Sequence, residues 1–158
     1  MARTILIPTD FRVASLNTLK MALEAMDGEP VQVVLMHAAY LSDSISDLLF
    51  YSPARFIDER MGEAFQEALE VIGNRFEPSI VRLSIQLYHG THSHALANFL
   101  AAQQVDLVFL PQPKRLKLDR QAFDPLPLLR KSGLPCHEMA WTPSGKVDEQ
   151  SQLISLFN

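Results

Sequence analysis

A chain of 158 residues has room for one compact domain, since domains take roughly 100 to 200 residues each. With 47% hydrophobic and 20% charged residues it is too apolar for intrinsic disorder. Fourteen Lys and Arg against eighteen Asp and Glu leave a net charge of -4, which exerts no pull toward nucleic acid or anionic lipid. The lone Cys136 excludes an intramolecular disulfide and a Cys-based zinc cluster. No apolar run approaches the roughly 20 residues of a bilayer span, and Met1–Thr4 leads into Ile5 without the apolar core of a signal peptide. The expectation is a cytoplasmic protein with no membrane and no nucleic-acid partner.

Thr4-Ile5-Leu6-Ile7-Pro8 is aliphatic, partly β-branched and stopped by proline, the pattern of a strand buried on both faces. Asp10 is placed to cap a helix whose Val13, Leu16, Leu19, Leu23 and Met26 recur at steps of three and four, ended by Asp27-Gly28-Glu29-Pro30. Residues 31–36 form a second aliphatic strand, so the opening reads as a right-handed βαβ unit. Residues 38–57 are irregular and are expected to be a mobile insertion or lid. Met61, Phe65, Ala68, Leu69, Ile72 and Phe76 then trace one face of a single long helix from about Asp58.

Val81, Leu83, Ile85 and Leu87 alternate with polar residues, predicting an outer strand with one wetter face. Gly90 follows, then a helix with Ala95, Leu96, Phe99 and Leu100, then the buried strand 107–110 halted by Pro111. Residues 112–120 are basic. Pro125 or Pro127 starts a short helix, and residues 135–141 make the last strand. The domain is expected over 1–141, with 142–158 a tail in which Leu153, Ile154, Leu156 and Phe157 suit a short docked helix.

Five strands alternating with helices make a doubly wound open parallel sheet, which holds ligands at the carboxyl ends of its strands. Ile5-Leu6-Ile7-Pro8-Thr9-Asp10-Phe11 resembles the first strand and loop of the universal stress protein family, acidic residue included. Val33-Val34-Leu35-Met36-His37-Ala38 is similar to its second strand. Tyr88-His89-Gly90, residues 106–110 and residues 128–135 are similar to its third strand and glycine turn, its fourth strand, and its last helix leading to the closing strand. The resemblance spans about 3–141. It implies a Rossmann-like sheet of the adenine nucleotide alpha hydrolase type, strand order 3-2-1-4-5. It also implies a homodimer through the last strand, with Cys136, His137, Met139 and Trp141 at the contact.

Nucleotide-binding members of that family wrap phosphates with a glycine-rich loop after strand four. This chain has no glycine between Gly90 and Gly133, and Pro111-Gln112-Pro113-Lys114-Arg115 stands in the loop's place. Prolines lack amide donors, so the expectation is a protein without a nucleotide cofactor, ATP included. The expected role is a non-enzymatic, stress-related or regulatory binding module. The alternative is a nucleotide or other phosphorylated small molecule in the crevice at the ends of strands 1 and 4, lined by Pro8, Thr9, Asp10, Phe11, His37, Ala38, Gly90 and Pro111, with Lys114 and Arg115 neutralising its phosphate.

Each candidate also has a plain structural role. Asp10 serves equally as a helix cap, and His37 as a packed, hydrogen-bonded histidine. His89, His92 and His94 are dense in imidazole, yet no nearby Cys, Asp or Glu completes a metal shell, and no metal is expected. The hydrolase patterns Gly-x-Ser-x-Gly and His-Glu-x-x-His are missing.

Overall fold

The computed structural model describes residues 2–41, 44–113 and 115–141; the expected tail helix, residues 142–158, lies outside them. The elements run β1 (Arg3–Pro8), α1 (Leu16–Ala25), β2 (Val31–Ala38), α2 (Ile45–Leu49), α3 (Pro53–Arg60), α4 (Glu63–Arg75), β3 (Ile80–Tyr88), α5 (Ser93–Ala102), β4 (Leu107–Pro111), α6 (Leu126–Arg130) and β5 (Cys136–Met139). The five strands form one sheet in the order β3-β2-β1-β4-β5, and every pairing is parallel.

Strand periodicity sorts the core into two layers. Ile5, Ile7, Val33, Leu35, Leu107 and Phe109 point to the face covered by α1 and α4, where Leu16, Leu19, Phe65 and Ile72 are buried against them. Leu6, Val34, Met36, Val108 and Leu110 point the other way, onto Leu96 and Leu100 of α5 and Leu126 and Leu129 of α6. A strand with helices on both faces must be apolar at every position, which is why β1 reads as a continuous run. Full burial of each Ile or Leu contributes about 1.5–3 kcal/mol. The chain winds outward from β1 to β3, crosses by α5, and continues on the other side of β1, so a switch point lies between β1 and β4.

Three local expectations change. Asp10 does not cap α1: its carboxylate accepts from the amide of Arg12, and a 3-10 turn at Val13–Ser15 leads into the helix. The single long helix is two helices, because Met61 and Gly62 are extended, with ψ of 101° and 168°. The expected lid contains α2 and most of α3, the latter started by Ser52, whose hydroxyl accepts from Arg55, and by Pro53 in its first turn. The outer position of β3 is as its alternation implies, but Val81 departs from the pattern and is 60% exposed, because the register shifts there, Val31 pairing with Ile80 and Gln32 with Arg82.

Candidate functional site

The candidate site lies where β1 and β2 end. Thr9 continues from β1, its amide donating to Met36 O at 2.8 Å. Phe11 follows with φ of 63°, a left-handed conformation that a bulky residue adopts only when its surroundings impose it. Its amide donates to Thr9 Oγ1 at 3.1 Å, and its buried ring lies 4.6 Å from the His37 imidazole and 5.8 Å from Phe65. The turn therefore drives an aromatic side chain into the core beneath the ends of β1 and β2.

His37 is the penultimate residue of β2 and is 3% exposed. Its Nδ1 lies 2.9 Å from Thr9 O, a carbonyl, so the proton of the neutral ring resides on Nδ1 and Nε2 keeps its lone pair. Burial holds its pKa below the ordinary histidine value, against the backbone hydrogen bond to Thr9. Asp10 is half-buried. Its two oxygens accept from Arg12 N at 2.9 Å and from Lys117 N at 2.8 Å, and burial raises its pKa despite these bonds.

The bond from Lys117 shows what the segment after β4 does. It folds back over the strand ends, with Tyr40 N donating to Gln121 O at 2.7 Å, Phe123 N donating to Ala38 O at 3.1 Å, and an antiparallel bridge joining Ala39 and Ala122. Ala38 is thus occupied by backbone pairing. Asp119 caps this turn, its Oδ1 accepting from Gln121 N and Ala122 N. From the opposite side α3 brings Phe56, 6.1 Å from the His37 ring, and Arg60, whose guanidinium stacks 3.5 Å above Phe56. Arg60 Nη2 donates to Gln121 Oε1, and Arg60 Nε faces Asp119 Oδ2 at 3.6 Å.

Of the residues singled out from sequence, Thr9, Asp10, Phe11 and His37 come together, and Pro8 and Pro111 are buried as the last residues of β1 and β4. Arg115 is placed toward the closing strand, 5.8 Å over the Trp141 ring, while Lys114 lies outside the described residues. Gly90 lies beside Tyr88 and Ala95, where a Cβ would stand 2.5 Å from Ala95 Cβ and 2.7 Å from Tyr88 Oη. His89 is spent on Ala39 O at 2.8 Å and Tyr51 Oη at 2.5 Å, and among the described residues no three His, Cys, Asp or Glu could hold a metal ion. Sequence reasoning does not single out Tyr51, Phe56, Arg60, Asp119 or Gln121 for the crevice. The one local signal is the Phe56-to-Arg60 spacing, which puts ring and guanidinium on one helix face.

On β5, Cys136 Sγ donates to Leu129 O at 3.3 Å and its pKa is raised by burial, His137 is exposed, and Met139 packs on the α1 face of the core. Trp141 Nε1 donates to Thr18 Oγ1 at 2.8 Å, so the indole nitrogen is directed at α1.

An open parallel sheet in the order β3-β2-β1-β4-β5 with helices on both faces and a switch point between β1 and β4 defines a Rossmann-like α/β protein. The model of the Universal stress protein family matches residues 1–124, and the chain belongs to that family. Among solved structures it is similar to the hypothetical protein MJ0577, with a TM-score of 0.54 and 17% identity over 89% of this chain and 96% of that one. It is similar to a universal stress protein family protein from Arabidopsis thaliana with AMP bound, with a TM-score of 0.52 and 9% identity over 94% and 98%. A universal stress protein in complex with cAMP matches with a TM-score of 0.50 and 13% identity over 89% and 98%. At these identities the likeness speaks for the fold. No curated protein matches the chain in sequence.

The expectation of no nucleotide cofactor is corrected by these findings. Two proteins of this fold are complexes with cAMP and with AMP. Missing backbone donors therefore do not exclude a nucleotide, since a guanidinium or ammonium group also satisfies phosphate oxygens.

Proposed function

We propose that this chain is a universal-stress-type binding module that takes an adenine nucleotide, or another phosphorylated small molecule, in the crevice at the ends of β1 and β4. One observation carries the reading: the hydrogen bond from Lys117 N to Asp10, across 107 positions of sequence, pins the basic segment over the strand ends at the switch point. Thr9, Asp10 and His37 supply polar atoms around that point, Phe11 and Phe56 supply aromatic surface, and Lys117 belongs to the segment that brings positive charge. The AMP and cAMP complexes of similar folds support it. The module is read as a regulatory binder, without turnover. Isothermal titration with AMP, cAMP and ATP tests it: saturable binding weakened by Asp10→Ala is expected, and no heat with any of the three at millimolar concentration refutes it.

We also propose that the domain comprises residues 1–141 and pairs with a second copy along β5, whose one sheet neighbour among the described residues is β4. A free strand edge is a surface that proteins cover. Light scattering at micromolar concentration should exceed the monomer mass of 17.8 kDa, and a value equal to it refutes the dimer.

A further inference from the structure

Two buried side-chain nitrogens among the described residues have no hydrogen-bond partner, His37 Nε2 and Arg60 Nε. They belong to one locus, since the Phe56 ring lies 6.1 Å from the imidazole and 3.5 Å beneath the guanidinium. Folded proteins pair nearly all buried polar atoms, so two orphans flanking the same ring describe the complement of something they receive.

Their chemistry defines that complement. Arg60 Nε is a donor on a permanent cation, its Nη1 and Nη2 already donate to the neutral oxygens Phe56 O and Gln121 Oε1, and its strongest further partner is an anionic acceptor. His37 Nε2, with the proton on Nδ1 held by Thr9 O, is an acceptor and requires an O–H or N–H. A ligand carrying a phosphate together with a hydroxyl or amino group meets both, which is the chemistry of a phosphorylated nucleoside. Lone inorganic anions meet one.

Asp119 stands beside the Arg60 guanidinium. Its Oδ2 stands 3.6 Å from Arg60 Nε, near enough for attraction between charges and too far for a hydrogen bond. Its other oxygen is occupied by the amides of Gln121 and Ala122. The Arg60 side chain is 18% exposed and that of Asp119 56% exposed, so a carboxylate at the solvent edge faces a mostly buried guanidinium without completing it.

We propose that Arg60 is the phosphate-binding residue of this crevice, taking the place of a glycine-rich loop, and that Asp119 is an internal stand-in for the phosphate which a ligand displaces. His37 Nε2 receives a hydroxyl or amino hydrogen of the same ligand. The inference rests on the nucleotide reading above and goes further by assigning the grip to α3, outside the strand ends.

Titration of AMP and adenosine into the wild-type chain, Arg60→Gln, Arg60→Lys and Asp119→Asn tests it. Arg60→Gln should weaken AMP about tenfold or more, as loss of a charge-assisted pair entails, and leave adenosine unchanged. Arg60→Lys should restore part of that loss. Asp119→Asn keeps the Oδ1 acceptor for the turn and removes the competing charge, so it should tighten AMP severalfold, a gain that misfolding cannot imitate. Wild-type-like AMP affinity in Arg60→Gln, or weaker AMP binding in Asp119→Asn, overturns the inference and leaves the nucleotide reading standing. If the wild-type chain takes neither AMP nor adenosine, both fall together.

Discussion

Replacing Gly90 with alanine places a methyl group where the fold has no space for one. Carbon atoms in contact sit about 3.5–4.0 Å apart, whereas the new Cβ would stand 2.5 Å from Ala95 Cβ and 2.7 Å from Tyr88 Oη. Neither neighbour yields easily. Ala95 is in the first turn of α5, and Tyr88 is buried with its ring 5.3 Å from Phe99 and 6.1 Å from Phe123. Its hydroxyl also donates to His92 O at 3.3 Å. Such overpacking costs about 1–3 kcal/mol. At roughly 2–4 °C per kcal/mol for a domain of this size, Tm should fall by roughly 2–12 °C in calorimetry, with the urea midpoint lowered and the slope unchanged. Gly73→Ala is the counterpart, because Gly73 lies inside α4 and a methyl group there would meet nothing within 4 Å; relief of the glycine penalty should raise stability by about 1 kcal/mol. A Gly90→Ala protein melting at or above the wild-type temperature would refute the reasoning.

Burial lowers the His37 pKa below 6.5, so the unfolded chain takes up a proton that the folded one refuses. Its contribution is therefore fully present above about pH 6.5 and is lost as pH falls toward the folded value, at up to about 1.4 kcal/mol per pH unit. Asp10 acts in the reverse sense, its raised pKa letting the folded state protonate first above 3.8. Urea titrations of wild type and His37→Gln between neutral pH and about pH 5 should show the histidine-dependent slope only in the wild type, and equal slopes would contradict the assignment. Trp141→Phe removes the donor to Thr18 Oγ1, and a loss of about 1–2 kcal/mol in chemical denaturation is expected; no loss would mean that this contact does not anchor the closing strand to α1.

The layered core is legible because buried parallel strands and amphipathic helices are written in local periodicity. Ile5 to Ile7, residues 31–36 and residues 107–110 each read as strands, and the stripe from Leu16 to Met26 reads as a helix without knowledge of any contact. Asp10 and His37 are legible as strand-end groups for the same reason. The break at Met61 and Gly62 is harder to read, since Met61 and Phe65 keep helical spacing across it.

Residue order and apolar spacing determined the five strands, the first helix and the parallel sheet, because each follows from interactions between near neighbours in the chain. Only the tertiary structure decided which residues meet at the strand ends. Asp10 meets Lys117, Ala39 pairs with Ala122, and Arg60 meets Asp119 and Gln121 across separations of 59 to 107 positions. Contacts at that range depend on how α3 and the β4-to-β5 segment pack over the strand ends, and no local pattern of side chains encodes them.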